Sequence, residues 1–127
     1  MNARPTADSR RKAETGGRRS ETLAAMFLRL KGFSILARRV RTPGGEIDLV
    51  ARRGGLLVFA EVKARKDADA AILAVSPSAR RRSGRAAQLY LSRRPDLARC
   101  DVRYDIIAIA GWRIVHLADA WRDDPMR

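Results

Sequence analysis

The stretch Gly44-Gly45-Glu46-Ile47-Asp48-Leu49-Val50 and the run from Leu56 to Lys63 constrain this chain more than anything else in it. Two apolar runs separated by Gly54-Gly55 read as a β-hairpin, because a two-residue turn needs the positive φ that glycine adopts without steric cost. With Gly54-Gly55 as the turn, Arg53 faces Leu56, and counting back in step sets Asp48 opposite Glu61 and Glu46 opposite Lys63. Directly opposed residues have Cβ atoms roughly 4.5–5.5 Å apart, where like charges destabilise a sheet. Alternation puts Leu56, Val58, Ala60 and Val62 on one face of the second strand and Leu57, Phe59, Glu61 and Lys63 on the other. In the first strand Ile47 and Leu49 lie opposite Glu46, Asp48 and Val50. Glu46, Asp48, Glu61 and Lys63 thus form the polar end of an otherwise apolar face. A surface mesh of charges is one reading. The flanking Leu, Val and Phe favour burial, and buried carboxylates are paired or coordinate metal.

Residues of these types have a definite chemistry. Mg²⁺ (or Mn²⁺) takes hard oxygen ligands, commonly one or two carboxylates with water and substrate phosphate completing the shell. Asp48 and Glu61 supply the carboxylates, and the peptide carbonyl of Val62 can add a third oxygen. Such a cation lowers the pKa of its water and neutralises phosphodiester charge in the transition state. Lys63 shares the face of Glu61 and can hold the attacking water or stabilise the phosphate. The chain has twenty-three arginines and four lysines, so a lysine here is an uncommon choice.

Asp48 followed by Glu61-Val62-Lys63 resembles the PD-(D/E)xK signature of the restriction-endonuclease-like superfamily, with Ile47 in the place of the proline. The ordered set is closer still to the YraN-like family of bacterial proteins assigned to that superfamily. It comprises Gly17-Arg18-Arg19-Ser20-Glu21, Gly44 to Val50, Phe59-Ala60-Glu61-Val62-Lys63-Ala64-Arg65 and Asp105-Ile106-Ile107-Ala108-Ile109, and it covers about residues 16–117. The set is also similar to archaeal Holliday-junction resolvases, in which a helical glutamate precedes the same Asp and Glu-x-Lys. The resemblance implies an α/β restriction-endonuclease-like core, with helices flanking a mixed sheet of about five strands. It also implies metal-dependent cleavage of DNA. On position alone Glu21, in a first helical turn, is equally a dipole-compensating residue. The resolvase likeness makes it an acid of the site. Junction resolution needs two sites, so a homodimer is the expectation for that substrate.

Charge and composition fit a polyanionic partner. The formal net charge is +13 over 127 residues, enough for one domain and pointing to nucleic acid. Cys100 is the single cysteine and His116 the single histidine, so Cys-rich zinc sites and imidazole relays are poor candidates. His116 ends an apolar strand and reads as structural, as does Asp105, a capping or arginine-pairing residue. Residues 1–16 read as a disordered basic arm and 119–127 as a tail around an endonuclease-like domain at 17–118. No apolar run suits a signal peptide or a membrane span, so a cytoplasmic protein is expected.

The predicted order is α-β-β-β-α-β-β: a helix over 20–31, strands over 33–41, 46–51 and 56–63, a loop over 64–75, a helix over 76–93, and strands over 101–110 and 112–117. Arg80, Arg81, Arg82 and Arg85 crowd the start of the second helix, where the dipole disfavours cations and an anion is a natural partner. With Arg38, Arg39, Arg41 and Arg65 they are candidate phosphate contacts, which position nucleic acid without reading its sequence. Aromatics are few, which favours double-stranded or branched DNA over single strands read by stacking. A protein that binds nucleic acid, or serves in assembly, on the same fold without cutting is the alternative.

Overall fold

In a computed structural model, which describes residues 7–122 with side chains from Gly17 onward, one five-stranded sheet runs in the order β1-β2-β3-β4-β5. The elements are α1 (Ala7–Leu30), β1 (Ser34–Thr42), β2 (Gly45–Arg53), β3 (Leu56–Ala64), α2 (Ala68–Leu73), α3 (Pro77–Ser92), β4 (Asp101–Ala110) and β5 (Arg113–Trp121). The expected order is present, with a short helix, α2, in the segment read as a loop. Asp67 accounts for it: its carboxylate accepts the Ala70 amide at 2.8 Å, the N-cap bond that opens a helix. Residues 1–6 of the expected basic arm lie outside the described residues, as do the side chains of 7–16, whose backbone is helical from Ala7. At the other end β5 extends to Trp121, while 123–127 of the expected tail lie outside the described residues.

Strands β1, β2 and β3 form an antiparallel meander, β3 and β4 are parallel, and β5 returns antiparallel to β4. A parallel neighbour demands a crossover, and α2 and α3 provide it. Helix α3 opens on Ser76, whose hydroxyl accepts the Ala79 amide, with Pro77 in the first turn. Its buried face is Ser83, Gly84, Ala86 and Ala87. Side chains this small let the helix approach β2 closely.

Two apolar clusters lie on the two sides of the sheet. Ala24, Ala25 and Leu28 of α1 pack on Leu49, Ala51, Val58, Ala60 and Val62, while Ala86 and Ala87 of α3 pack on Val50, Leu57, Phe59 and Tyr104. Burying a side chain such as Phe59 or Leu28 stabilises the fold by about 1.5–3 kcal/mol each. The turn at Gly54-Gly55 is as expected, with Arg53 paired to Leu56. That ladder ends at Leu49–Ala60, so Asp48 does not pair with Glu61 through the backbone, nor Glu46 with Lys63.

The reason is a change of phase shared by β1 and β2. Arg38 pairs with Leu49 on the α1 side, where Arg38 bonds Thr22 and Leu49 joins the α1 cluster. Val40 pairs with Ile47 two residues along, yet both pack with the α3 cluster. Ile47 and Leu49, expected on one face, are therefore on opposite faces. Between them stand Arg39, at φ 52°, and Asp48. A left-handed non-glycine residue costs on the order of 1–3 kcal/mol, and Arg39 is held there by a 2.7 Å ion pair to Glu21 of α1.

Candidate functional site

The phase change turns Asp48 toward β3. Its Oδ2 accepts the Val62 amide at 2.8 Å, taking the place of a main-chain carbonyl where the ladder has ended. Within one strand residue N–H and C=O point toward the same neighbour, so the Val62 carbonyl also looks toward Asp48. Glu61, on the other face of β3 from Val62, is buried against α3, and its Oε1 lies within hydrogen-bonding distance of the Ser83 hydroxyl. The same hydroxyl is 3.3 Å from the Glu46 carbonyl.

Asp48 and Glu61 remain close enough for their carboxylates to interact directly. Burial pushes the Glu61 carboxyl up to about 8, the Asp48 charge and a shared hydrogen bond add to the rise, and Ser83 and Lys63 pull the other way. Glu61, desolvated and beside the Asp48 charge, resists ionisation unless a cation joins the pair. Lys63 is half-buried and faces the same cleft, of about 410 Å³, between the β1–β2 turn and the first turns of α3. Arg82 lines its opposite wall. Among the described residues no three or more His, Cys, Asp or Glu side chains gather as a metal cluster, so the corner offers two carboxylates rather than a full protein cage.

The cleft's walls are locked by glycine. A Cβ on Gly45 would stand 2.1 Å from the Arg82 carbonyl oxygen, so the hairpin turn touches the α3 backbone as only glycine allows. Thr42 closes that turn, its Oγ1 accepting the Gly45 amide at 3.1 Å and donating to the Gly45 carbonyl at 2.9 Å.

The other candidates separate into two groups. Arg81, Arg82 and Arg85 are exposed on α3, and Arg41 and Arg65 are exposed near the ends of β1 and β3. Arg39 is bound to Glu21, Arg38 donates to Thr22, and Arg80 donates to the Val75 carbonyl while lying 5.7 Å over the Trp121 ring. Glu21 is buried and engaged by Arg39. Asp105 is fully buried and pairs with Arg103 as expected, and it also binds His116 Nε2 at 2.6 Å and the Asp119 amide at 3.0 Å. Burial works to raise its pKa, but the bonds from His116, Arg103 and Asp119 outweigh it and hold the carboxyl below its ordinary value.

Ser83 is the residue that sequence reasoning missed. It is 2 % exposed and touches Glu61 from 22 positions away, a pairing that no local spacing reveals. The run of small residues at 83, 84, 86 and 87 marks the face of α3 that meets the sheet, and that was the available signal.

The profile of the uncharacterised protein family UPF0102 matches residues 20–109, which include Glu21, Asp48, Glu61, Lys63 and Ser83. A UPF0102 protein of Paramagnetospirillum magneticum is 46% identical over 98% of this chain and 100% of its own length. Relatives from Parvibaculum lavamentivorans and a Chelativorans species are 53% and 55% identical over 84% and 80% of this chain, and over 80% and 82% of their own lengths. The chain belongs to the UPF0102 family.

Proposed function

We propose that this protein is a metal-dependent nuclease that hydrolyses phosphodiester bonds in DNA, double-stranded or branched. The observation that carries the reading is the Asp48–Glu61 pair, two interacting carboxylates beside Lys63 in a cleft walled by Arg82. The likeness of Asp48 and Glu61-Val62-Lys63 to the PD-(D/E)xK signature supports it.

The residues fit Mg²⁺ or Mn²⁺. Both are hard cations that take oxygen ligands, and a two-carboxylate corner without His or Cys leaves room for water and phosphate. Asp48 and Glu61, with the Val62 carbonyl, are the residues that would hold the ion. When bound it would supply Lewis-acid stabilisation of the phosphate and a more acidic water. The ammonium of Lys63 orients the attacking water and meets the charge that develops on the phosphate. Arg81, Arg82, Arg85, Arg41 and Arg65 contact the DNA backbone. Arg39 and Arg80 are tied to neighbouring elements, Arg38 stays exposed beside Thr22 and joins the backbone contacts, and Glu21 acts on the site through Arg39.

Cleavage of branched, flapped and linear DNA with Mg²⁺ or Mn²⁺, and with chelator, tests the proposal against Asp48→Ala and Glu61→Ala. Metal-dependent cutting lost in both variants, with DNA binding retained, is the expected result. Undiminished cutting by the variants overturns it. If nothing cuts while all three proteins bind DNA equally, the chain is a non-cutting nucleic-acid-binding protein.

A further inference from the structure

We propose that Ser83 sets the metal selectivity of the Asp48–Glu61 site by holding one oxygen of Glu61, so that this carboxylate presents chiefly its other oxygen to a cation. The inference rests on the metal-binding reading above and extends it to a residue outside the carboxylate pair.

Ser83 is placed by the fold with little freedom. The contact of Gly45 with the Arg82 carbonyl fixes the α3 backbone one residue before Ser83. Gly84 follows it, also buried, so the hydroxyl is carried on a segment packed directly on β2. At 2 % exposure no solvent competes for its bonds. The hydroxyl has one proton and two acceptors in reach, the Glu46 carbonyl at 3.3 Å and Glu61 Oε1. A bond to an ionised carboxylate is roughly twice as strong as one to a neutral carbonyl. With Glu61 ionised by a bound cation, the proton goes to Oε1.

The consequence is a denticity limit. Ca²⁺ takes six to eight oxygens at about 2.3–2.6 Å and commonly uses both oxygens of a carboxylate. Mg²⁺ takes six at about 2.0–2.1 Å and needs one oxygen per carboxylate. Oε1 keeps a second lone pair, but the Ser83 bond weakens it as a metal donor and restrains the carboxylate from turning to present both oxygens equally, which suits the smaller ion. Removing the hydroxyl frees Oε1 for bidentate contact and favours Ca²⁺.

Calorimetric titration of the full chain with Mg²⁺, Mn²⁺ and Ca²⁺, without DNA, tests this on wild type, Ser83→Ala, Ser83→Thr and Asp48→Ala. Alanine suits a buried helical position, so Ser83→Ala is expected to fold, with circular dichroism as the check. Wild type is expected to bind Mg²⁺ and Mn²⁺ in preference to Ca²⁺. Ser83→Ala is expected to lower the Mn²⁺-to-Ca²⁺ affinity ratio by about tenfold, the scale of one charge-assisted hydrogen bond. Ser83→Thr, which keeps the hydroxyl, retains the wild-type ratio. An unchanged ratio in Ser83→Ala, or a threonine variant that behaves like alanine, overturns the selectivity role and leaves the metal site standing. Wild type that takes up none of the three ions, or Asp48→Ala that binds them as wild type does, overturns the metal site and this proposal together.

Discussion

The carboxylate of Asp48 accepts the amide hydrogen of Val62 at 2.8 Å, so a side chain of β2 completes a bond that the backbone ladder leaves open. One group therefore serves the fold and the candidate site at once. Removing it as alanine strands a buried amide, at a cost of about 1–3 kcal/mol. Asp48→Asn keeps an acceptor for Val62 and removes the charge facing Glu61. In chelator, Asp48→Asn is expected to melt no lower than wild type and Asp48→Ala lower than Asp48→Asn. Neither should gain stability when Mn²⁺ is added, whereas wild type should. Thermal melts with and without metal check each of these statements, and equal metal-induced stabilisation of Asp48→Asn would remove Asp48 from the site.

Lys63 lines the cleft and acts on Glu61 through its charge, without a hydrogen bond to either carboxylate in the site. Its truncation is therefore expected to spare metal affinity and to slow cleavage by about 10²–10³-fold, the scale seen when one preorganised donor to a developing charge is lost. Single-turnover rates at saturating Mn²⁺, set beside calorimetric affinities, separate the two effects. A variant whose defect is repaired by more metal would place Lys63 in the binding of the ion instead.

Gly45 is the point where the β1–β2 turn meets α3. An alanine Cβ there would stand 2.1 Å from the Arg82 carbonyl oxygen and 2.6 Å from its carbon, both backbone atoms that no rotamer change can clear. Either the turn or the helix must move, and Ser83 moves with the helix. Gly45→Ala is expected to cost about 3 kcal/mol or more in urea denaturation, at the upper end for single substitutions. Gly54→Ala meets nothing within 4 Å, so it suffers only the penalty of its φ of 59° and is the control for steric contact.

These glycines also show what the sequence makes legible. Gly54-Gly55 sets the β2–β3 register from local turn chemistry, and Arg53 indeed pairs with Leu56. Counting in step from there fails at Asp48, because Arg39 flips the phase of β1 through an ion pair with Glu21, 18 residues earlier on α1. Periodicity within a strand cannot report a contact made by another element. Ser83 was hidden for the same reason, lying 22 residues from the carboxylate it touches. Helix α2 was legible in principle from Asp67, but six residues carry too little apolar periodicity to stand out. The basic cluster on α3 was plain to see, yet Arg80 beside Arg81 and Arg82 is turned inward over Trp121, a distinction that belongs to packing.

The Glu21–Arg39 pair is expected to act on stability before chemistry. Arg39 combines a left-handed backbone with a guanidinium held by Glu21, and the Glu21 carboxylate is buried. Glu21→Ala should cost about 1–3 kcal/mol, discounted from a fully buried pair because Arg39 is partly in solvent. Arg39→Gly relieves the backbone but leaves the buried carboxylate alone. The double substitution Glu21→Ala with Arg39→Gly should therefore be more stable than Arg39→Gly by itself. Denaturation of the three variants checks this, and strict additivity would mean that the pair does not hold the phase change.

Two buried acids with opposite shifts predict how stability varies with pH. Glu61 rises from 4.5 to about 8 on folding, so the native state holds a proton that the unfolded chain releases between these values. Stability then falls as pH climbs through that window, by a few kcal/mol at most after relaxation of the buried pair. Asp105 is shifted below its ordinary 3.8, so its contribution is present above that value and is lost as pH falls through the folded pKa. Together they place maximal stability in chelator near pH 4–5, on the acid side of the range usual for globular proteins. Glu61→Gln cannot ionise, and its stability should stay flat from pH 5 to 8. Asp105→Asn should lose the decline on the acid side, along with much of its stability, since Arg103 and His116 then have no carboxylate to meet. Mn²⁺ at pH 8 should recover in wild type what ionising Glu61 loses, because the ion takes the place of the proton, and should give Glu61→Gln no such gain. Melting temperatures from pH 3 to 9, with chelator and with Mn²⁺, check the whole pattern. A wild-type profile that rises from pH 5 to 8 in chelator would show that Glu61 is ionised without a cation, and that its burial beside Asp48 does not hold in solution.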